Sequence, residues 1–448
     1  MKTVRLIFQF ASSPVCCPSR SSILTGLYAH NTQTFNNSQE GGCYSEGWIN
    51  KHERNTFPAK LKRAGYKTFY AGKYLNGYES DQIPNGYDDF HGLHGNSKYF
   101  NYTLNENGKI VEYKDSPEEY LPNVIKKRCL DFVQAQSSGK PFFAMLSLPS
   151  CHSPFTPEEK YENYFLNVSA PRTKNFNSGA KPFKKHWLMT MEPRELPTNV
   201  IETIDDIYRK RLQTLQTVDD IVEELVLQLN KQKLIDDTYI VFTSDHGYHL
   251  GQWAMAWDKR LPYETDIRLP LIVRGPNVPV KSVETSPVLL IDLAPTILNW
   301  AKIPMDNNDY DGKPFDHLLR KNSEKIEERQ MLIEYWGEGN VNTWNHDCPY
   351  NKHQRLSQCS PDMACKCEDS YNNTYACVRH LAEDVDFLFC MFQDHEHYQE
   401  AYYLDTDFYQ MENVGFDILP SQQAKYQIMV SQSSKSQLNW NTLFSFVD

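Results

Sequence analysis

Cys16-Cys17-Pro18-Ser19-Arg20, continuing as Ser21-Ser22-Ile23-Leu24-Thr25-Gly26, is the stretch of this 448-residue chain whose residue types and spacing hold the most chemistry. Cys16 can act as a nucleophile. Arg20, four residues on, falls one helical turn further along the same side, where its guanidinium could hold an anion at Cys16. The following Ser-Ser-Ile-Leu-Thr-Gly reads as that helix, ended near Gly26. Three further polar groups stand after runs that read as strands: Gly72-Lys73, Pro149-Ser150-Cys151-His152 and Ser244-Asp245-His246-Gly247. Ligands bind at the carboxyl ends of strands in open α/β sheets, so these groups and Cys16 are expected to meet there.

The elements that must position them are legible in outline. Residues 56–64 read as a helix ended at Gly65, and 67–71 as a strand leading into Gly72-Lys73. The apolar run 142–148 fits a strand buried on both faces. Residues 201–232 carry apolar side chains at helical spacing, and 237–243 form the strand that delivers Asp245 and His246. Alternation of this kind over the first three hundred residues predicts an α/β sandwich with a mostly parallel central sheet. Residues 170–199, rich in Pro, Asn and Lys, read as a surface excursion whose Lys185-His186-Trp187 either contacts a sugar or is incidental. The charged run 321–329 is taken as a boundary, giving a catalytic domain over 1–320 and a smaller C-terminal α+β domain over 321–448. Residues 375–379, 387–392 and 400–404 predict an antiparallel sheet in the latter.

Composition narrows the class. A net charge of −11 with no long basic run argues against a nucleic-acid partner and against a polybasic tether. No apolar stretch reaches the length of a membrane span. The opening residues 1–10 have too short an apolar run for a secretory leader and read as part of the fold. Sequons at Asn36, Asn101, Asn167 and Asn372 suit a glycosylated product of the secretory pathway. Of the eleven cysteines, Cys348, Cys359, Cys365, Cys367, Cys377 and Cys390 crowd one weakly apolar segment. Zinc and disulfides are the alternatives; Cys365-Lys366-Cys367 has the wrong spacing for a zinc knuckle, which favours disulfides and an oxidising compartment.

At Cys16 to Gly26, Gly72-Lys73-Tyr74-Leu75-Asn76, Ser244-Asp245-His246-Gly247 and Asp258-Lys259-Arg260 the chain resembles the sulfatase family. Lys185-His186-Trp187-Leu188 and residues 369–379 resemble the branch of that family acting on 6-sulfated N-acetylglucosamine, so the likeness covers nearly the whole chain. It implies a sulfatase/alkaline-phosphatase-like fold and a sulfuric ester hydrolase that removes 6-O-sulfate from heparan or keratan sulfate in the lysosome or secretory pathway. By resemblance, Cys16 is oxidised to formylglycine by the formylglycine-generating enzyme, Arg20 stabilises it, and Lys73 contacts sulfate and aldehyde. His152 and Lys259 flank the leaving oxygen, where one of them could protonate the alcohol. A cationic ring around a sulfate is electrostatically sensible in its own right.

The resemblance further implies one calcium ion, held by Asp245, His246 and the residue at Cys16 together with an Asp pair at the end of a first strand. Residues 1–15 contain no Asp or Glu, and the first acidic residue is Glu40. The expectation is therefore that this first strand and its Asp pair are missing from the chain, and that calcium, which wants six to eight oxygens, is bound weakly. His246 sharpens that expectation, since imidazole suits softer metals. Leu75 stands where many sulfatases have histidine, a replacement shared by the 6-sulfated-glucosamine branch. Competing readings are a catalytically impaired glycan-binding relative and an extracellular heparan 6-O-endosulfatase relative, although the long basic insertion of the latter is absent.

Overall fold

Glycines and short polar turns cut the first half of the chain into the lengths that pack. In this computed structural model, which describes residues 4–179, 184–320, 326–338, 363–394 and 396–433, β1 (Val4–Phe10) runs straight into α1 (Cys16–Thr25) and the single turn α2 (Ala29–Thr32). Gly26 ends α1 at φ +76°, its N–H donating to Ser22 O, the left-handed cap that only glycine adopts without strain. Then come α3 (Phe57–Arg63), β2 (Lys67–Lys73), β3 (Asp89–Leu93), the hairpin β4 (Thr103–Glu106) and β5 (Lys109–Glu112), α4 (Leu121–Gln134) and β6 (Phe142–Ser147). The turn α5 (Trp187–Thr190) interrupts the excursion before the long α6 (Thr198–Lys231). Beyond it lie β7 (Ile240–Phe242), the ribbon β8 (His249–Leu250) and β9 (Trp257–Asp258), α7 (Glu264–Ile267), β10 (Arg268–Arg274), β11 (Ser282–Glu284), β12 (Val288–Leu289) and α8 (Leu293–Trp300).

These strands make two mixed sheets, in the orders β5-β4-β3-β2-β6 and β11-β1-β10-β7. Parallel pairing joins β2 to β3 and β6, and β1 to β11 and β12; β10 is antiparallel to both β1 and β7. Helices cover both faces of the β2–β6 region. Phe69, Ala71, Ile125, Phe132 and Leu229 pack between sheet, α4 and α6. On the other face Leu24, Phe57, Leu61, Tyr70, Phe90 and Leu298 join the sheet to α1, α3 and α8. This is the α/β sandwich expected, with the antiparallel pairs as its refinement.

The expectation that 142–148 is buried on both faces is corrected. Phe142 to Leu146 are only partly buried, because among the described residues β6 pairs with β2 alone. Strand β7 is likewise an outer strand, paired among the described residues only with β10, and Phe242 and Ile272 are 37% and 38% exposed. Both strands nevertheless point their carboxyl ends at one place, where Arg20 reaches Ser147 and Asp245.

The C-terminal sheet is different in kind. Strands β13 (Arg329–Tyr335), β14 (Tyr375–Ala382), β15 (Val385–Phe392) and β16 (Gln399–Tyr403) are antiparallel throughout, as expected, with α9 (Pro420–Ser433) on one face. The period-2 rule is plain in β15: Leu388, Cys390 and Phe392 face a core shared with Phe10, Tyr28 and Ile291, while Phe387, Phe389 and Met391 face Tyr426. Cys377 and Cys390, paired across β14 and β15, form a disulfide, and Cys365 and Cys367 are also disulfide-bonded. Cys348, Cys359 and residues 321–325 of the expected boundary lie outside the described residues. A disulfide the sequence reading did not foresee, Cys17–Cys43, ties α1 to the loop after α2.

Candidate active site

The chain enters α1 from an extended Val15, so Cys16 occupies the helix's first turn, 1% exposed. Its neighbour Cys17 donates its N–H to Asn37 Oδ1 at 2.9 Å. Arg20 faces the same side one turn on, as its spacing predicts. Its Nε donates to Asp245 Oδ2 at 2.8 Å, and its Nη1 to Lys73 O at 2.8 Å and Ser147 Oγ at 3.0 Å. One guanidinium thus ties the ends of β2 and β6 to the turn after β7. Ser19 adds a bond from Oγ to Asp245 O at 2.5 Å.

Four cationic or imidazole groups surround the Cys16 sulfur. His246 Nε2 lies 3.2 Å from Sγ, with Nδ1 donating to Gly247 O at 2.7 Å. His152 bonds the Cys16 side chain, and its Nδ1 donates to Ser153 O at 2.7 Å. Lys73, 1% exposed, donates Nζ to Asn96 Oδ1 at 2.7 Å. Lys259, 2% exposed, is 3.0 Å from Asp258 Oδ1. Behind it Arg260 spans Asp258 Oδ2 and Glu338 Oε2, each at 2.7 Å, and Glu338 Oε1 accepts the Asn37 N–H at 3.1 Å.

The electrostatics follow from this crowding. Burial by itself would raise the Cys16 thiol, but Lys73, His246 and Lys259 outweigh it and hold the thiol well below its ordinary value. Burial, joined by Arg20 and Lys259, pushes Lys73 down to about 8. His152 is lowered by burial and by the same two lysines. For His246, burial is outweighed by Asp245 and Cys16, so its pKa rises. Asp245 is carried far below the usual carboxylate range, because His246, Arg20 and Lys73 overcome its burial. Such a site favours a negative charge at position 16 and beside it.

All the residues singled out in the sequence therefore converge: Cys16, Arg20, Lys73, His152, Asp245, His246 and Lys259. Asn96, Ser147 and Asn37 were not foreseen. Asn96 follows the end of β3, and Ser147 closes β6, so the same rule that flagged Lys73 and His152, polar groups at carboxyl ends of strands, reaches both. Nothing local marks Asn37. Lys185-His186-Trp187 do not lie on a surface excursion. All three are buried; Lys185 bonds Tyr402 Oη at 2.6 Å, and His186 donates its N–H to Glu400 Oε1 at 2.7 Å and meets Asp394 at 3.1 Å. The apolar and aromatic content that suggested a sugar contact is spent on docking the C-terminal sheet.

Cys16, Asp245 and His246 bring one sulfur, one carboxylate oxygen and one imidazole nitrogen within 4.8 Å of one another, the metal-capable group found among the described residues. Its carboxylate already serves Arg20. One oxygen-bearing side chain among cations does not fit calcium, which needs six to eight oxygens.

The sulfatase family model matches residues 6–303. The N-acetylglucosamine-6-sulfatases of Bos taurus and Homo sapiens are 43% and 42% identical to this chain over 436 residues, covering 95% of it and 76% and 78% of their own lengths. An extracellular sulfatase SULF-1 homolog of Drosophila melanogaster is 37% identical over 73% of the chain and 30% of its own length. Among solved structures, a protein in complex with its substrate D-glucosamine-2-N,6-O-disulfate superposes with a TM-score of 0.74 at 20% identity, covering all of this chain and 92% of that one. The phosphonate monoester hydrolase of Agrobacterium radiobacter superposes with a TM-score of 0.67 at 16% identity, over 96% and 88% of the two chains.

Proposed function

Because the chain belongs to the sulfatase family and is an enzyme of sulfate-ester hydrolysis, we propose that its substrate is the 6-O-sulfate of N-acetylglucosamine residues in heparan and keratan sulfate. The observation that carries this reading is identity above 40% to N-acetylglucosamine-6-sulfatases over 95% of the chain, joined to a buried ring of cations around Cys16.

In the proposed mechanism Cys16, oxidised during maturation by the formylglycine-generating enzyme, supplies an aldehyde hydrate, one hydroxyl serving as nucleophile and the other allowing sulfate to be expelled. Around it the chain's own residues divide the work. Lys73 and Lys259 take the non-bridging sulfate oxygens, whose charge would otherwise repel an anionic nucleophile. His246, 3.2 Å from the position-16 side chain, is placed to exchange a proton with it. His152 and Lys259 stand where the alcohol leaves, where one of them could pass it a proton; burial and two lysines hold the His152 imidazole below its ordinary value. Arg20 positions these groups by holding three strand ends together. Asp245 and His246, with the position-16 side chain, are the described residues that would hold a divalent ion, but this donor set does not fit calcium unaided.

Disulfides favour passage through an oxidising compartment. No described helix is long and apolar enough to cross a membrane. We propose the lysosome as the site of action. The short metal donor set favours a second reading, a glycan-binding relative with impaired turnover. A fluorogenic 6-sulfated N-acetylglucosaminide separates the two: turnover is expected, together with the thiol-to-aldehyde mass loss on the Cys16 peptide. Turnover by protein with an intact Cys16 thiol overturns the mechanism, and a fully converted Cys16 without turnover supports the binding reading.

A further inference from the structure

Just past β13 the chain brings one acid into contact with two sides of the Cys16 site. After Tyr335 it is pressed against the turn before β14: Gly337 donates its N–H to Thr374 Oγ1 at 3.0 Å, and a Cβ at Gly337 would lie 2.2 Å from Ser370 O. Only glycine lets two backbones come so close. The next residue, Glu338, is turned inward, its side chain 1% exposed.

The two oxygens of Glu338 serve different partners. Oε1 accepts the Asn37 N–H at 3.1 Å, and Asn37 Oδ1 accepts at 2.9 Å the N–H of Cys17, the residue after the nucleophile position. Oε2 meets Arg260 Nε at 2.7 Å; Arg260 Nη1 meets Asp258 Oδ2 at 2.7 Å, and Asp258 Oδ1 lies 3.0 Å from Lys259 Nζ. One buried carboxylate thus stands in the middle of a chain of polar contacts that ends at the start of α1 on one side and at the Lys259 ammonium on the other.

The backbone of Arg260 points the same way. It takes φ +97°, an angle that a residue with a Cβ holds only where its surroundings over-determine it. They do so here: Asp258 and Glu338 fix the guanidinium, and the carbonyl accepts from Tyr375 Oη at 3.1 Å and Asn373 Nδ2 at 3.4 Å. Strain of this kind persists where a neighbouring group has to be aimed, and the neighbour is Lys259. Because Glu338 balances Arg260, Asp258 keeps an oxygen for Lys259.

We propose that Glu338 is a positioning residue for the hydrolysis: from the C-terminal sheet, and without touching substrate, it sets the distance between the position-16 nucleophile and the Lys259 ammonium. The inference rests on the reading that the sulfate group lies between position 16 and Lys259. It gives the C-terminal sheet a part in the reaction through Arg260 on one side and Asn37 on the other.

The test is Glu338→Gln, which keeps the size of the side chain and one acceptor and loses the charge that faces Arg260. Per converted Cys16, kcat on a fluorogenic 6-sulfated N-acetylglucosaminide is expected to fall at least about tenfold, as for a slight misplacement of reacting groups, with KM within about twofold. Asp386→Asn, which breaks the Arg379–Asp386 pair inside the C-terminal sheet, should lose stability as well but keep its kcat. Asn37→Ala, at a half-buried position, cuts the Cys17 arm alone and should lower kcat about threefold; it carries the test if Glu338→Gln does not fold. Unchanged kcat in Glu338→Gln or in Asn37→Ala, or an equal fall in Asp386→Asn, overturns the inference. The same comparison on 4-nitrophenyl sulfate separates the two readings. A parent active on the aryl ester alone strikes the proposed sugar and leaves the role of Glu338 to be read there, whereas a parent active on neither overturns both.

Discussion

Two buried lysines show how differently this molecule uses a cation. Lys73 and Lys185 are both buried and both pushed down to about 8, burial being the first cause in each. Lys73 sits with Arg20, Lys259 and His246 around Cys16, and these four share two carboxylates among the described residues, Asp245 and, behind Lys259, Asp258. Lys185 sits alone among rings, its Nζ 4.1 Å from the centre of Trp253 and 4.3 Å from those of Tyr263 and Tyr402, with Glu400 at 3.9 Å. The acid beside Lys185 is satisfied from within the fold: Glu400 accepts from Tyr263, Tyr402 and the His186 N–H. Around Cys16, Arg20 and Lys259 each meet one acid, Asp245 and Asp258, whereas Lys73 makes no ion pair among the described residues. A buried cation that the fold neutralises is a fastening, and a buried cluster left short of anions is a receptor for one.

The largest effect that could break this contrast lies at the centre of the cation ring. Cys16→Ser is expected to abolish turnover while leaving the unfolding midpoint within about 0.5 kcal/mol of the parent, since the side chain is nearly isosteric. A serine that picks up sulfate has no second hydroxyl with which to expel it. Steady turnover by the serine variant would mean that the cations serve some other group.

Next in size is an exchange between the two lysines themselves. Lys73→Met should cost on the order of 10²–10³ in kcat, as for loss of one preorganised electrostatic contact, with little loss of stability because it relieves repulsion from Arg20 and Lys259. Lys185→Met should do the reverse. It strands Glu400 without its cation, at roughly 3–5 kcal/mol of stability, while protein that remains folded keeps its turnover. Urea unfolding and kcat measured on both variants check the pair, and a matching pattern in the two would erase the distinction.

The same two regions show what can be read from a sequence. Cys16, Arg20, Lys73 and His246 were legible because each stands at a fixed offset from a turn or strand end, and the geometry of a helix or a strand does the rest. The C-terminal strands were legible for the same reason, by their period of two. Lys185-His186-Trp187 was not. Its aromatic and charged residues look the same whether they meet a sugar or a neighbouring sheet, and the answer depends on Glu400 and Asp394, more than two hundred residues away. The half-exposure of β6 was hidden as well, because an apolar run reports what a strand is able to bury and says nothing of how many partners it finds.

A third effect concerns the anion-poor character of the Cys16 site directly. With Asp245 as the one carboxylate of the Cys16, Asp245 and His246 group among the described residues, already bonded to Arg20, the site should bind calcium weakly. Calorimetry with calcium alone is expected to give a dissociation constant of millimolar order or above, set by a single protein carboxylate amid cations. A micromolar constant would mean that the cations are balanced after all, and the reading of this region as a receptor for anions would lose its basis.

The smallest effect is a pH dependence in a third buried cluster, which lies between the two regions compared. His249 Nδ1 is 3.1 Å from both Asp266 oxygens, and its Nε2 is 3.4 Å from Glu368 Oε2. Burial opposes its charge, but Asp266 and Glu368 prevail and raise the imidazole to about 10, while burial raises Glu368 to about 7. Both shifts have the same sign for stability. A histidine whose folded value exceeds its unfolded one stabilises fully below about 6.5 and loses that contribution as pH climbs toward 10. A carboxyl raised by burial loses its contribution between about 4.5 and 7. The protein should therefore resist urea best in mild acid, and its midpoint should fall steadily from about pH 5 to about pH 9. His249→Gln keeps a hydrogen bond to Asp266 but removes the titrating cation, so it should lower stability at about pH 5 by roughly 1–3 kcal/mol and flatten the decline above 6.5. Parallel profiles for parent and variant would show that the acid preference arises elsewhere, and would remove this cluster as physical support for work in an acidic compartment.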